Sequence, residues 1–198
     1  MKSSHKNPML CALGATCLLA GNALLAREPG QTSTVFAAQT TVQRKNDFSP
    51  LVSKVRQATE RYLNINVAIA EGWVAATPCV SGPNAGAMGV HFVLPSRIGD
   101  GVLNAEEPEA LIYEPMPGGR MRLVGVEFIE IAQVWDTQHV GQQPTLDGHL
   151  LNLVSGPNRY VLPAFYELHV WAWENNPNGS FADWNTAVSC DKQPAPVS

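Results

Sequence analysis

The stretch FYELHVWAWENNPNG, residues 165–179, decides how the rest of the chain is read. Apolar and aromatic residues fill it, and the Asn-Pro-Asn-Gly turn stops it, so it reads as a strand. Strand side chains alternate between faces. Phe165, Glu167, His169, Trp171 and Trp173 therefore share one face, and Tyr166, Leu168, Val170 and Ala172 share the other. Glu167 and His169 then point the same way, about 7 Å apart along the strand. An imidazole and a carboxylate interrupt a face that is otherwise aromatic.

Three more runs read as strands: residues 89–94, 110–114 and 121–131, separated by Pro, Gly and Asn clusters. Ahead of them, Leu51, Val55, Ala58, Tyr62, Ile65, Ile69 and Trp73 recur at spacings of three and four, the stripe of an amphipathic helix. Ser49 caps it and Pro50 takes the first helical position, where its missing N–H costs nothing. A helix over 50–75 followed by a mainly antiparallel sheet is an α+β arrangement, with the long N-terminal helix on one face of a curled sheet or half-barrel. The polar segment DTQHVGQQPTLDGHL, residues 136–150, is a long loop of the kind that often carries function. Ser-Gly-Pro-Asn occurs twice, at 81–84 and 155–158, and is turn chemistry. Neither copy leads into a helix, so neither cradles a phosphate.

The first 26 residues carry Lys2 and Lys6, then an apolar run ending in small residues, the layout of a secretory signal. Cleavage after Ala26 fits, and cleavage after Ala37 is a second option; an uncleaved anchor is the competing reading of so long an apolar run. Residues 27–46 are polar, rich in Thr and Gln and without a period, a flexible lead segment. One globular domain over 47–192 and a short tail, 193–198, complete the chain. Removing the signal removes Cys11 and Cys17 and leaves Cys79 and Cys190 in an oxidising compartment, secreted or periplasmic. If they bond, they close a loop of about 110 residues, worth about 4–5 kcal/mol. The alternatives are two free thiols or a metal-binding pair, and neither has a CxxC neighbour to support it.

Thirteen Lys and Arg stand against seventeen Asp and Glu, a net charge of -4. With no basic run interleaved with aromatics, nucleic acid and anionic membrane surfaces are excluded as partners once the signal is gone. No serine sits in a nucleophile elbow, and bonded cysteines leave no Cys-His pair.

The remaining chemistry lies on the strands. Alternation in residues 121–131 puts Met121, Leu123, Gly125, Glu127, Ile129 and Ile131 on one face, with Glu127 its single charged group and Gly125 leaving room beside it. His91 interrupts the apolar strand GVHFVL in the same way. His91, Glu127 and His169 on three strands form the ligand set of a transition-metal site for Zn or Cu, with His149 from the loop as a fourth ligand, and His139 or Glu167 as additions. Taken singly, each has an ordinary reading: His91 a satisfied core histidine, Glu127 a partner of Arg122 or Arg159, His169 bonded to Glu167 or an indole. A second reading is a pocket for a small apolar or sugar ligand, walled by Trp171 and Trp173 with Glu167. A third is a structural protein of the envelope.

The motifs MGVH (88–91), PEALIY (108–113), VGVEF (124–128), LHVWAW (168–173), NPNG (176–179) and VSC (188–190) resemble those of a group of secreted bacterial proteins with no known activity. The resemblance covers residues 55 to 191. It implies secretion and a shared domain, and it assigns no catalytic residue.

Overall fold

The computed structural model describes residues 49–193. The expected signal, the lead segment and residues 194–198 of the tail lie outside the described residues. The helical stripe forms two helices, α1 (Pro50–Thr59) and α2 (Ile65–Ala70), joined by a single 3-10 turn at Glu60–Leu63. The expected continuous helix over 50–75 is therefore corrected, and Asn64 is the reason. Its side chain accepts the backbone N–H of Asn66 at 3.1 Å, starting a new helix instead of extending the old one. The break shifts the helical phase, so Ala68 is buried while Ile69, on the expected stripe, is exposed.

The strands are β1 (Val74–Ala75), β2 (Val80–Gly82), β3 (Gly86–Val93), β4 (Ala110–Met116) and β5 (Arg120–Ile131). After α3 (Ala132–Gln138) come β6 (Thr145–Leu146), β7 (His149–Leu150), β8 (Asn152–Val154) and β9 (Phe165–Val170). Seven of them make one sheet, in the order β1-β3-β4-β5-β9-β8 with β2 also on β3, and β6 pairs with β7 separately. Every pairing is antiparallel. The α+β class holds.

Two departures from simple alternation matter. Ile112 of β4 lies opposite Gly125 while Tyr113 lies opposite Leu123, so β5 carries one extra residue at Val124–Gly125. A bulge of this kind swaps the faces on either side of it. Leu123 consequently packs with Val126 and Phe128 on the helix side, and Glu127 falls on the opposite face, away from Met121 and Leu123. Gly125 is the residue that lets the next strand close in: a Cβ there would stand 2.8 Å from the Val170 carbonyl oxygen. At the other end β9 stops at Val170, three residues short of the expected strand.

The helix side of the sheet buries Leu51, Val52, Val55 and Tyr62 against Leu111, Tyr113, Val126 and Phe128. Hydrogen bonds orient this contact: Tyr113 Oη donates to the Tyr62 carbonyl at 2.7 Å, and Trp173 Nε1 donates to Thr59 Oγ1 at 3.0 Å. The C-terminal segment lies on the other side, where Asn185 exchanges backbone bonds with Ala87 and Val188 packs beside Trp171. A Cys79–Cys190 disulfide, its Cα atoms 5.6 Å apart, ties this strap to the approach to β2.

Two acids at the ends of β4 and β5 remote from their hairpin are buried. Glu109 accepts the Ile129 backbone N–H at 3.0 Å, and Glu130 is wholly buried. Burial pushes Glu109 up to about 8 and Glu130 up to about 7. The folded chain then holds protons that the unfolded chain has released, so their stabilisation is full below the ordinary carboxyl range and is lost as pH rises through about 7 to 8.

Two outcomes follow from this packing. Thiol titration of a chain lacking its first 26 residues, unfolded without reductant, will find no free cysteine; reducing it first will cost about 4–5 kcal/mol in urea unfolding. In the same assay the wild-type midpoint will fall between about pH 5.5 and pH 8.5, and the double variant Glu109→Gln, Glu130→Gln will flatten that fall. An equal fall in the variant assigns the pH dependence elsewhere.

Candidate metal centre

His91, Glu127 and His169 come together. β5 and β9 pair with Glu127 directly opposite His169, which places the two side chains side by side on one face. His91 is two strands away, on β3. Between them on β4 lies Ala110, which pairs with Glu127 and also with Val93. A methyl group at that position leaves space for His91 and Glu127 to meet over it. His91 Nε2 reaches 3.2 Å from Glu127 Oε2. The His91 and His169 rings stand nearly perpendicular with centroids 5.9 Å apart. One ligand atom from each of the three residues lies within 4.8 Å of the others, and the same holds for Glu167, His169 and Asp183.

All of this is under cover. His91 is 3% exposed, Glu127 4% and His169 1%. Burial pulls the His91 imidazole down to about 4; burial and then the neighbouring His91 pull His169 down to about 3. Both rings are neutral at physiological pH, the form that ligates metals. Burial first, and Glu167 second, hold the Glu127 carboxyl well above the usual range, and Glu127 and Glu167 share a hydrogen bond. The close contact of His91 with Glu127 is therefore not a charged pair. It also fails the angular requirement of a hydrogen bond, since Nε2 is without a hydrogen-bond partner.

His169 is the group that the protein satisfies least. Neither ring nitrogen has a hydrogen-bond partner, although the ring is almost wholly inaccessible. Trp171 stacks beside it at 6.2 Å without offering a polar atom to it, and Asp183 Oδ1 comes no closer to Nδ1 than 3.9 Å. Buried polar atoms are almost always paired, and leaving one unpaired costs about 1–3 kcal/mol. His91 is held differently: its Nδ1 lies 3.2 Å from Thr77 Oγ1, which also accepts the His91 backbone N–H at 3.3 Å. With Nδ1–H directed at that hydroxyl, Nε2 carries the lone pair of the ring.

The other expected residues lie elsewhere. His149 packs on Phe181 with ring centroids 3.9 Å apart and belongs to neither metal-ligating group. His139 stacks on Trp135. Arg122 pairs with Glu114 and Glu174, and Arg159 lies over Trp184, so neither partners Glu127. The expected wall of two indoles is corrected as well. Because β9 ends at Val170, Trp171 packs with Ile112 and Val124 on the strap side while Trp173 packs toward the helices. Neither borders the cavity next to the site, which has a volume of about 340 Å³ and includes His91 and Glu127 in its lining. Glu167 stays with His169 and Asp183, 5% exposed.

Three contributors escape sequence reading. Asp183 is the lone acid of a segment that returns to β9 after the Asn-Pro-Asn-Gly turn, where the Trp171 N–H donates to the Ser180 carbonyl at 2.9 Å. Thr77 and Tyr160 come from irregular loops, with Tyr160 edge-on to His91 at 6.3 Å. No periodicity marks any of them. Comparison of the chain with family models, with curated proteins and with solved structures finds no match, so the chemistry of the site is read from its own geometry.

Proposed function

We propose that the protein binds one transition-metal ion, Zn or Cu, through His91, Glu127 and His169, in a secreted or periplasmic setting. The observation that carries this reading is His169, a buried imidazole with two unpaired nitrogens set within 4.8 Å of a second imidazole and a carboxylate. A tetrahedral site with bonds of about 2.1 Å has edges of about 3.4 Å. The separation of His91 Nε2 from Glu127 Oε2, 3.2 Å, already matches such an edge. Two neutral imidazoles and a carboxylate suit Zn or Cu, and the ion would displace the proton that burial keeps on Glu127. Its charge would offset the carboxyls of Glu167 and Asp183, which face the same cluster. Thr77 would fix the His91 tautomer, and Asp183 stands nearest the role of partner to His169 Nδ1.

Three protein ligands leave a coordination position for water or another molecule, as in sites that do chemistry rather than sites that only hold a fold. The setting draws support from the Cys79–Cys190 disulfide and from the apolar N-terminal run. Among the described residues no helix is long and apolar enough to cross a membrane.

Calorimetric titration of untagged protein with Zn(II) and with Cu(II) will show binding at one equivalent and micromolar or better affinity for at least one of them. His169→Ala will abolish that binding and leave the fold intact. Thr77→Val, which removes only the second-nitrogen partner of His91, will weaken it by about 10–100-fold. Absence of stoichiometric binding of both metals to the wild type returns all three side chains to the core.

A further inference from the structure

The cavity beside His91 and Glu127 has a use that the metal ligands alone do not explain. At its floor are the two ligands themselves, and at its rim are the exposed residues Ala76 and Pro95. Between floor and rim the walls are apolar: Val93, Ile98, Ile129, Leu162 and Phe165. Polar groups sit only near the His91 end, where the Thr77 hydroxyl is engaged with His91 and the Tyr160 hydroxyl donates to Met88 Sδ at 3.3 Å. At about 340 Å³ the space falls at the lower end of the range of small-molecule pockets, roughly 300–1,000 Å³.

We propose that this cavity binds a small, uncharged, mainly apolar molecule that presents one oxygen donor to the metal ion, its apolar part lying against Ile98, Ile129 and Phe165. The proposal rests on the metal centre described above and adds the class of its ligand. The direction of approach follows from the lining. His91 and Glu127 border the cavity, whereas His169, Glu167 and Asp183 do not, so the coordination position on the side of His91 and Glu127 opens into it. Charge selects against ions. The carboxyls of Glu127, Glu167 and Asp183 already meet the charge of the metal ion, no Lys or Arg lines the walls to hold an anion, and an organic cation would meet the metal ion itself. A sugar is disfavoured for the same reason as any strongly hydroxylated ligand: it would lose its water against aliphatic walls with few hydrogen-bonding groups to replace it.

Two uncharged primary amides with the same single carbonyl oxygen donor test the idea. Benzamide carries a ring that can enter the cavity; acetamide carries a methyl group. Calorimetry on the Zn-loaded full-length mature protein, with the Zn content measured before and after, is expected to show benzamide binding at least about tenfold tighter. Ile98→Trp, on a surface loop, and Val93→Phe, on β3, each place bulk in the cavity without touching a metal ligand. Each should bring the two affinities to within about threefold while Zn still binds at one equivalent. Zn binding with equal affinity for the two amides overturns this inference and leaves the metal centre standing, as does a preference that survives in both variants. Failure of the wild type to bind Zn or Cu at all overturns both.

Discussion

Antiparallel pairing of β5 with β9 sets Glu127 directly opposite His169, and much of the surrounding structure answers to the burial of those two groups. Neither side chain is exposed to water, and the two arginines expected near Glu127 are engaged elsewhere, Arg122 with Glu114 and Glu174 and Arg159 over Trp184. The cluster limits the charge it must bury by holding both histidines neutral and favouring the protonated form of Glu127. Neutralisation removes the largest penalty of burial but not the second one, the polar atoms still without partners. Several such atoms gathered in one place are the observation on which the proposed metal site rests.

Geometry at the site is inherited from rigid elements. β3, β4, β5 and β9 are central strands, and His91, Glu127 and His169 each sit inside a strand rather than on a loop. Ala110, opposite Glu127, is small and leaves room for the diagonal approach of His91. The end of β9 is held from the helix side, where Trp173 donates to Thr59 and the Arg56 guanidinium donates to the Ala172 carbonyl. The beginning of β3 is held from the other side by the Asn185 strap and, through it, by the disulfide. Loops then supply the softer contacts: Thr77 behind His91 and Asp183 near His169. Catalytic and binding groups mounted in this way keep their positions better than groups on loops alone.

Much of this was legible in the chain, and its limits have identifiable causes. Alternation along residues 165–171 correctly put Phe165, Glu167, His169 and Trp171 on one face, because β9 is regular there. It failed at Trp173, two residues after the last strand residue, where the period of two no longer applies. On β5 it placed Glu127 with Leu123, and the extra residue at Val124–Gly125 moved them to opposite faces. The same tetrapeptide VGVE therefore contained the candidate residue Glu127 and the irregularity that reorients it. In the helical region the stripe was read through Asn64, whose local hydrogen bond outcompetes one turn of helix.

Composition and local pattern determined the α+β class, the pairing open to Cys79 and Cys190, and the three polar residues that interrupt apolar strands. These are properties of single segments, set by side-chain period and by counting. Tertiary structure alone decided that His91 crosses over Ala110 to Glu127, that Asp183 rather than His149 joins the cluster, and that the cavity is walled by Ile129 and Phe165 instead of two indoles. Each of those depends on which strands are neighbours, on a one-residue shift in register and on where a loop returns. Such features are fixed by contacts between residues far apart in the chain, and no segment carries them by itself.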